Sequence, residues 1–192
     1  MYREAHVDAD IVIGVPDSSI SAAIGYAEAS GLPNEMGLIK NRYIGRTFIQ
    51  PTQELRERGV RMKLSAITSI VKGKRIILID DSIVRGTTSK HIVALLRTAG
   101  AAEVHMRVAS PEFKYPCYYG VDATDPRELL AQHHKTNEEM REYIDVDSLA
   151  FLSPQGLIKA TEHEGSRGEN CGLCMGCFTN QYPTNIKFDE AV

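Results

Sequence analysis

Two adjacent carboxylates, Asp80 and Asp81, are followed by Ser82, Gly86, Thr87, Thr88 and Ser89. Paired acids of this kind hold sugar hydroxyls or a divalent cation. A glycine turn that opens a helix offers backbone N–H groups to a phosphate. Before the acids runs Ile76-Ile77-Leu78-Ile79, the continuous apolar pattern of a strand buried on both faces of a parallel sheet. After the hydroxyls, Ile92, Leu95, Leu96 and Ala99 recur on one helical face, and Gly100 closes it. Strand, acid pair, turn and helix together predict a sugar-phosphate site at the sheet edge where open α/β folds take their ligands. The plainer alternative is a surface turn with two solvated acids. Adjacent carboxylates at the end of a buried strand need a cation or donors nearby, which favours the site.

A second turn, Asp17-Ser18-Ser19, follows the short apolar strand Ile11–Val15. By itself it reads as an N-cap of the next helix, because Asp and Ser are preferred caps. In a parallel sheet it would also open on the same edge as Asp80, so that two helix N-termini face one cleft. The window Lys40–Lys63 holds Lys40, Arg42, Arg46, Arg56, Arg58, Arg61 and Lys63 against only Glu54 and Glu57. A solvated charged loop is the bland reading; a long loop inside a compact domain is often a functional lid. Cys171, Cys174 and Cys177 form C-x-x-C-x-x-C, which signals a metal or an iron–sulfur cluster over reduced thiols, with zinc the rival. His91, His105, His133 and His134 form no catalytic pattern and are expected on solvated faces.

The elements that must position these residues alternate. The strand at Ile11–Val15 leads to a helix bearing Ile20, Ala23, Ile24 and Ala27, with Gly31 past its end. Glu35–Lys40 and Leu64–Ile70 are expected strands, and Glu103–Ala109 another, with Val104, Met106 and Val108 on one face. Pro126 sits where a helix would start. Thr136 with Glu139 forms a capping-box pattern, and a short helix is expected around Ser153–Ala160. The expected fold is α/β, a mainly parallel sheet flanked by helices over residues 1–160. A cysteine-rich carboxy-terminal extension over 161–192 would fold back onto it.

The 192 residues suffice for one domain with a real core. A net charge of -3 gives no general pull toward nucleic acid or an anionic membrane. The longest apolar runs are too short to span a bilayer, and Met1-Tyr2-Arg3-Glu4 does not open a signal peptide. A cytoplasmic location is the default expectation.

The run Ile76–Thr88 resembles the phosphoribosylpyrophosphate (PRPP) motif of type I phosphoribosyltransferases. Gly14-Val15-Pro16-Asp17-Ser18-Ser19, Lys40-Asn41-Arg42-Tyr43-Ile44-Gly45-Arg46-Thr47-Phe48-Ile49 and Cys174-Met175-Gly176-Cys177-Phe178 extend the resemblance to the cluster-bearing glutamine PRPP amidotransferase family. That family begins purine synthesis. The resemblance implies a type I phosphoribosyltransferase fold, the synthetase half of such an enzyme. The family's amino-terminal glutaminase domain is not expected in this chain.

The resemblance also implies roles. Asp80 and Asp81 would bind the ribose hydroxyls and help place Mg²⁺, and Ser82, Arg85, Gly86, Thr87 and Thr88 would line the 5-phosphate cradle. Asp17, Ser18 and Ser19 would take the pyrophosphate, with Ser18 linked to the Mg²⁺ site. Lys40 and Arg46 would contact phosphate from a lid over the site, with Tyr43 beside them. Cys117, Cys174 and Cys177 match ligands of a 4Fe-4S cluster. The family's fourth ligand lies upstream of the matching segment, and Cys171 is the candidate substitute. Such a cluster would be structural or oxygen-sensing. The implied reaction displaces pyrophosphate from PRPP with ammonia to form 5-phosphoribosylamine, with purine nucleotides as inhibitors and a homo-oligomer as the assembly. The alternatives are an inactive fragment, a salvage phosphoribosyltransferase, and a PRPP-binding regulator. The last is disfavoured by the negative charge and the lack of a helix-turn-helix segment.

Overall fold

The computed structural model describes residues 1–41, 64–161 and 173–186. Its centre is the apolar run anticipated above, the strand β4 (Arg75–Asp80), buried from Ile76 to Asp80. β1 (Ile11–Gly14) lies parallel on one side of it, with Ile13 opposite Leu78. β5 (Glu103–Val108) lies parallel on the other, and β6 (Ser148–Phe151) extends the sheet beyond β5. The order in this four-stranded sheet is β1-β4-β5-β6.

Strand alternation splits the core into two layers. Ile13, Ile76, Leu78, Val104 and Met106 face α3 (Thr87–Thr98) and α5 (Asn137–Ile144), which contribute Ile92, Leu96, Met140 and Ile144. Val12, Ile77 and Ile79 face α1 (Ile20–Ser30), which contributes Ala23, Tyr26 and Ala27. Both faces are covered, which is why the β4 sequence is apolar without interruption.

Shorter elements complete the chain. β2 (Leu38–Lys40) and β3 (Leu64–Ala66) pair antiparallel as a separate two-stranded sheet. α2 (Thr68–Val71) follows β3. A 3₁₀ turn (Pro126–Glu128) precedes α4 (Leu130–His133), and α6 (Pro154–Ala160) and α7 (Gly176–Thr179) come last. Among the described residues no helix is long and apolar enough to cross a membrane.

Several sequence expectations need correction. Leu64–Ile70 is not one strand: it stops at Ala66, and Ile67 opens a helical turn. The Glu35–Lys40 strand is confined to Leu38–Lys40, preceded by an isolated parallel bridge from Asn34 to Val12. β6 was not anticipated: Ser-Leu-Ala-Phe is a four-residue edge strand with one buried residue, too short for a periodic signal. His105 is not solvated. It is 6% exposed, with Nδ1 3.0 Å from Ser148 Oγ and Nε2 2.9 Å from Glu103 Oε2. The unanticipated strand supplies one of those partners. The capping box at Thr136 and Glu139 is present with both of its hydrogen bonds, and Ser153 caps α6 through Gly156 N–H.

Candidate functional site

The carboxyl ends of β1 and β4 are adjacent, and each runs into a turn that opens a helix. Neither α1 nor α3 has a side chain capping its first turn. Ser19 illustrates why. Its residue type suits a cap, but its buried hydroxyl donates instead to Asp80 Oδ1 at 3.2 Å. The N-cap expected of the Asp17-Ser18-Ser19 turn is therefore replaced by a bridge between the two loops. Asp17 and Ser18 are exposed. Two helix N-termini, each carrying partial positive charge, are left open at one sheet edge.

Asp80 is the electrostatic centre. It is 7% exposed, and Oδ1 also accepts the Asp81 N–H at 3.0 Å. Burial, reinforced by the Asp81 charge, pushes its carboxyl up from the ordinary 3.8 to about 6, against the lowering effect of the two hydrogen bonds. Asp81 is exposed, and the Ser82 hydroxyl donates to it at 3.2 Å. Among the described residues neither acid has a cationic partner within salt-bridge distance. The arrangement suits a ligand that brings hydroxyl donors or a divalent cation to two oxygens-rich groups.

A Ser19→Ala substitution tests the bridge. It removes one donor from a buried carboxylate and should destabilise the chain by about 1–3 kcal/mol at pH 8. The Asp80 carboxyl should rise further, because the Ser19 bond lowers it. Urea unfolding as a function of pH reads both effects.

The turn after Asp81 is shaped by what lies behind it. Gly86 is buried at φ +76°, the N-cap position of α3. A Cβ there would stand 3.0 Å from both Leu130 Cδ atoms and 3.2 Å from Tyr143 Cε1. Thr87 and Thr88 are exposed at the helix start, and Ser89 is buried. Tyr143 also carries the Lys90 ammonium 4.5 Å from its ring centroid and packs against the His134 ring at 4.6 Å. Leu130, Tyr143 and Lys90 had no sequence signal tying them to the motif. Arg85 donates through Nε to Glu128 Oε2 at 3.0 Å, with a second contact from Nη2.

Lys40, at the end of β2, reaches Asp17 with Nζ 2.8 Å from Oδ2. Both side chains are part-exposed, so the pair contributes little to stability, about 0–1 kcal/mol, and can exchange for a phosphate. Tyr43 and Arg46 lie outside the described residues, as does Cys171.

Two of the remaining cysteines, Cys117 and Cys177, lie around Phe113. The N–H groups of Lys114 and Tyr115 donate to the Cys177 carbonyl at 3.0 Å, and the Phe113 and Phe178 rings meet edge-on at 5.8 Å. Cys117 and Cys177 pack with Phe113, Ala123, Leu129 and Val84. Tyr119 N–H donates to Cys117 Sγ at 3.4 Å. Burial pushes the Cys177 thiol up to about 11, and the Cys117 and Cys174 thiols add to the rise. Among the described residues no three Cys, His, Asp or Glu side chains are close enough to share one metal ion.

The parallel sheet carries its acid pair and glycine turn at the carboxyl edge, the place where open α/β folds take their ligands. Residues 2–139 match the phosphoribosyl transferase domain family, and the chain belongs to that family. It is similar along its whole length to the amidophosphoribosyltransferase of Bacillus subtilis, 58% identical over 192 residues that make up 40% of that relative. The Synechocystis enzyme of the same name is 54% identical over 186 residues, 97% of this chain and 36% of the relative. Among solved structures, glutamine PRPP amidotransferase from B. subtilis complexed with ADP and GMP superposes with a TM-score of 0.87 at 58% identity, covering 97% of this chain and 41% of that one. A structure described as the allosteric regulatory enzyme of purine biosynthesis gives 0.88 at 57% identity, covering 99% and 40%. The chain thus spans about 40% of the length of the relatives it matches.

Proposed function

We propose that this chain binds PRPP across the ends of β1 and β4 and catalyses displacement of its pyrophosphate by ammonia, giving 5-phosphoribosylamine. The observation that carries the reading is the pair of uncapped helix N-termini joined by the Ser19–Asp80 hydrogen bond. One ligand with a phosphate at each end and hydroxyls between them matches two anion sites flanking two carboxylates.

In this reading the first turn of α3, with the Thr87 and Thr88 hydroxyls, holds the 5-phosphate. Asp80 and Asp81 accept hydrogen bonds from the ribose hydroxyls. The Asp17–Ser19 turn takes the pyrophosphate, and Lys40 moves from Asp17 onto it. Arg46 and Tyr43 would join from the basic window. The acid pair, buried on one side and lacking a cationic neighbour, fits Mg²⁺, with Ser18 alongside. When bound, Mg²⁺ would neutralise charge on the departing pyrophosphate. As the bond from C1 to the pyrophosphate oxygen breaks, the ammonia nitrogen bonds to C1 from the opposite face and then loses a proton. The residues contribute position and electrostatic stabilisation, and no side chain serves as nucleophile.

The cysteines support a separate reading. Cys117 and Cys177 sit against an apolar floor with the Cys174 thiol near enough to raise that of Cys177, and thiolates in such a setting suit a 4Fe-4S cluster. Cys117, Cys174 and Cys177 would hold it, with Cys171 the candidate fourth ligand, and its chemistry there would be structural. Anaerobic reconstitution should bind iron and sulfide in equal amounts, and a Cys174→Ala, Cys177→Ala variant should bind neither. Iron analysis reads this directly.

Purine nucleotides would compete at the same phosphate-binding turns, as the ADP and GMP bound to the B. subtilis enzyme suggest. A homo-oligomer in the cytoplasm is part of the same proposal. Activity is tested with PRPP, Mg²⁺ and ammonium under anaerobic conditions. Pyrophosphate release that depends on ammonium is the expected result. Release that instead requires a free nucleobase would assign the chain to salvage, and no release from a chain that binds PRPP would make it a binding module.

A further inference from the structure

The phosphate loop after β4 is gripped at three successive residues by a single distant segment. Leu130 N–H donates to the Val84 carbonyl at 2.8 Å. Glu128 accepts from the Arg85 guanidinium through Nε at 3.0 Å and through Nη2. The Leu130 side chain packs where a Cβ on Gly86 would stand, 3.0 Å away. The backbone is thus fixed at Val84, the side chain at Arg85, and the left-handed turn at Gly86.

The segment itself is rooted. Asp125 accepts from Arg127 N–H at 2.9 Å and starts the 3₁₀ turn that presents Glu128. Leu129 is 0% exposed, buried with Phe113 and Ala123, and Val84 packs against the same cluster. Glu128 and Leu130 therefore point one way, to the loop, while Leu129 between them is anchored in the core.

We infer that Glu128 and Leu130 are positioning residues for the phosphate loop, setting its N–H groups before the 5-phosphate of PRPP arrives. A cradle of N–H groups binds tightly only when its geometry exists in advance. Ile83 is buried in the core, but α3 has no side-chain cap of its own, so the end of the loop at Arg85 and Gly86 relies on this segment. Glu128 touches no reacting atom in this scheme; it acts through Arg85. The inference rests on the PRPP reading of the site.

Glu128 gives a clean test because both members of its ion pair are solvated, at 42% and 48% exposure. Exposed pairs add little to stability, so removing one should leave the unfolding midpoint nearly unchanged. The expected result for Glu128→Ala is PRPP binding weakened about threefold to fivefold, by isothermal titration with Mg²⁺, at a nearly unaltered midpoint. Ribose 5-phosphate should weaken in parallel, while competition by pyrophosphate, which sits at the other turn, should not change. Glu128→Gln keeps an acceptor oxygen and should recover most of the loss. Parent-like or tighter binding of PRPP by Glu128→Ala overturns the inference, as does an equal loss for ribose 5-phosphate and pyrophosphate. A parent chain that binds no PRPP overturns the reading of the site and the positioning role with it.

Discussion

Replacing Asp80 with Asn is expected to make the chain more stable and unable to bind PRPP. Both hydrogen bonds to Asp80 fall on Oδ1, from Ser19 and from the Asp81 N–H. The amide oxygen of Asn can accept both, so the loop bridge survives. What disappears is a buried negative charge next to another. A carboxyl moved from 3.8 to about 6 burdens the fold by about 3 kcal/mol at neutral pH, at about 1.4 kcal/mol per pH unit. The sign follows from proton binding. Between about pH 4 and 6 the folded state holds the proton that the unfolded state has lost, so stability falls as pH rises through that window and is level above it. The gain from Asn should therefore be absent near pH 4, grow up to about 6 and persist at pH 8. Urea unfolding at several pH values measures it. A destabilised variant at pH 8 would show that the Asp80 charge is compensated in a way the geometry does not reveal.

The same carboxyl predicts the pH dependence of the parent. Coordination of Mg²⁺ and acceptance of two ribose hydroxyls favour the ionised form. Affinity for PRPP should fall as pH drops through about 6. The variant lacks this dependence because it lacks the affinity. A site maintained at a cost to stability is what a functional carboxylate pair should look like.

Gly86→Ala is the second large effect. The left-handed φ of +76° penalises any side chain, and the added Cβ meets two Leu130 carbons at 3.0 Å and the Tyr143 ring at 3.2 Å. Strain and overpacking together should cost about 2–4 kcal/mol. The functional loss should be larger than stability alone explains, about 100-fold in PRPP affinity, because relief requires the cradle to move. Leu130→Ala in the same chain opens space at the Cβ position and should recover part of the stability but not the affinity. Equal recovery of both would mean that loop geometry is not what binds phosphate.

The fold around the site was readable where one segment carried the whole signal. β4, its acid pair, the turn and α3 lie in one stretch, and an apolar run with two acids has few structural solutions. The Thr136–Glu139 box was equally local. The shared edge of the Asp17–Ser19 turn and Asp80 was readable from the parallel-sheet rule, but side-chain pairings between distant segments were not. The Ser19 hydroxyl ignores its own helix because Asp80, 61 residues away, is the more demanding acceptor. Glu128 meets Arg85 across 43 residues with no periodicity to mark it. His105 reads as exposed because one of its partners, Ser148, comes from β6, whose four residues lack any β-branched pattern. Local propensity reports neighbours along the chain, and the partners that matter at this sheet edge are neighbours across it.

The central claim is that the β1 and β4 ends form one PRPP site organised by the acid pair. Isothermal titration of PRPP, with and without Mg²⁺, into the chain and into its Asp80→Asn, Asp81→Asn variant tests it most directly. The account predicts binding that requires Mg²⁺ in the parent and is lost in a variant that remains folded. Equal binding by both proteins, or none by a folded parent, would contradict it.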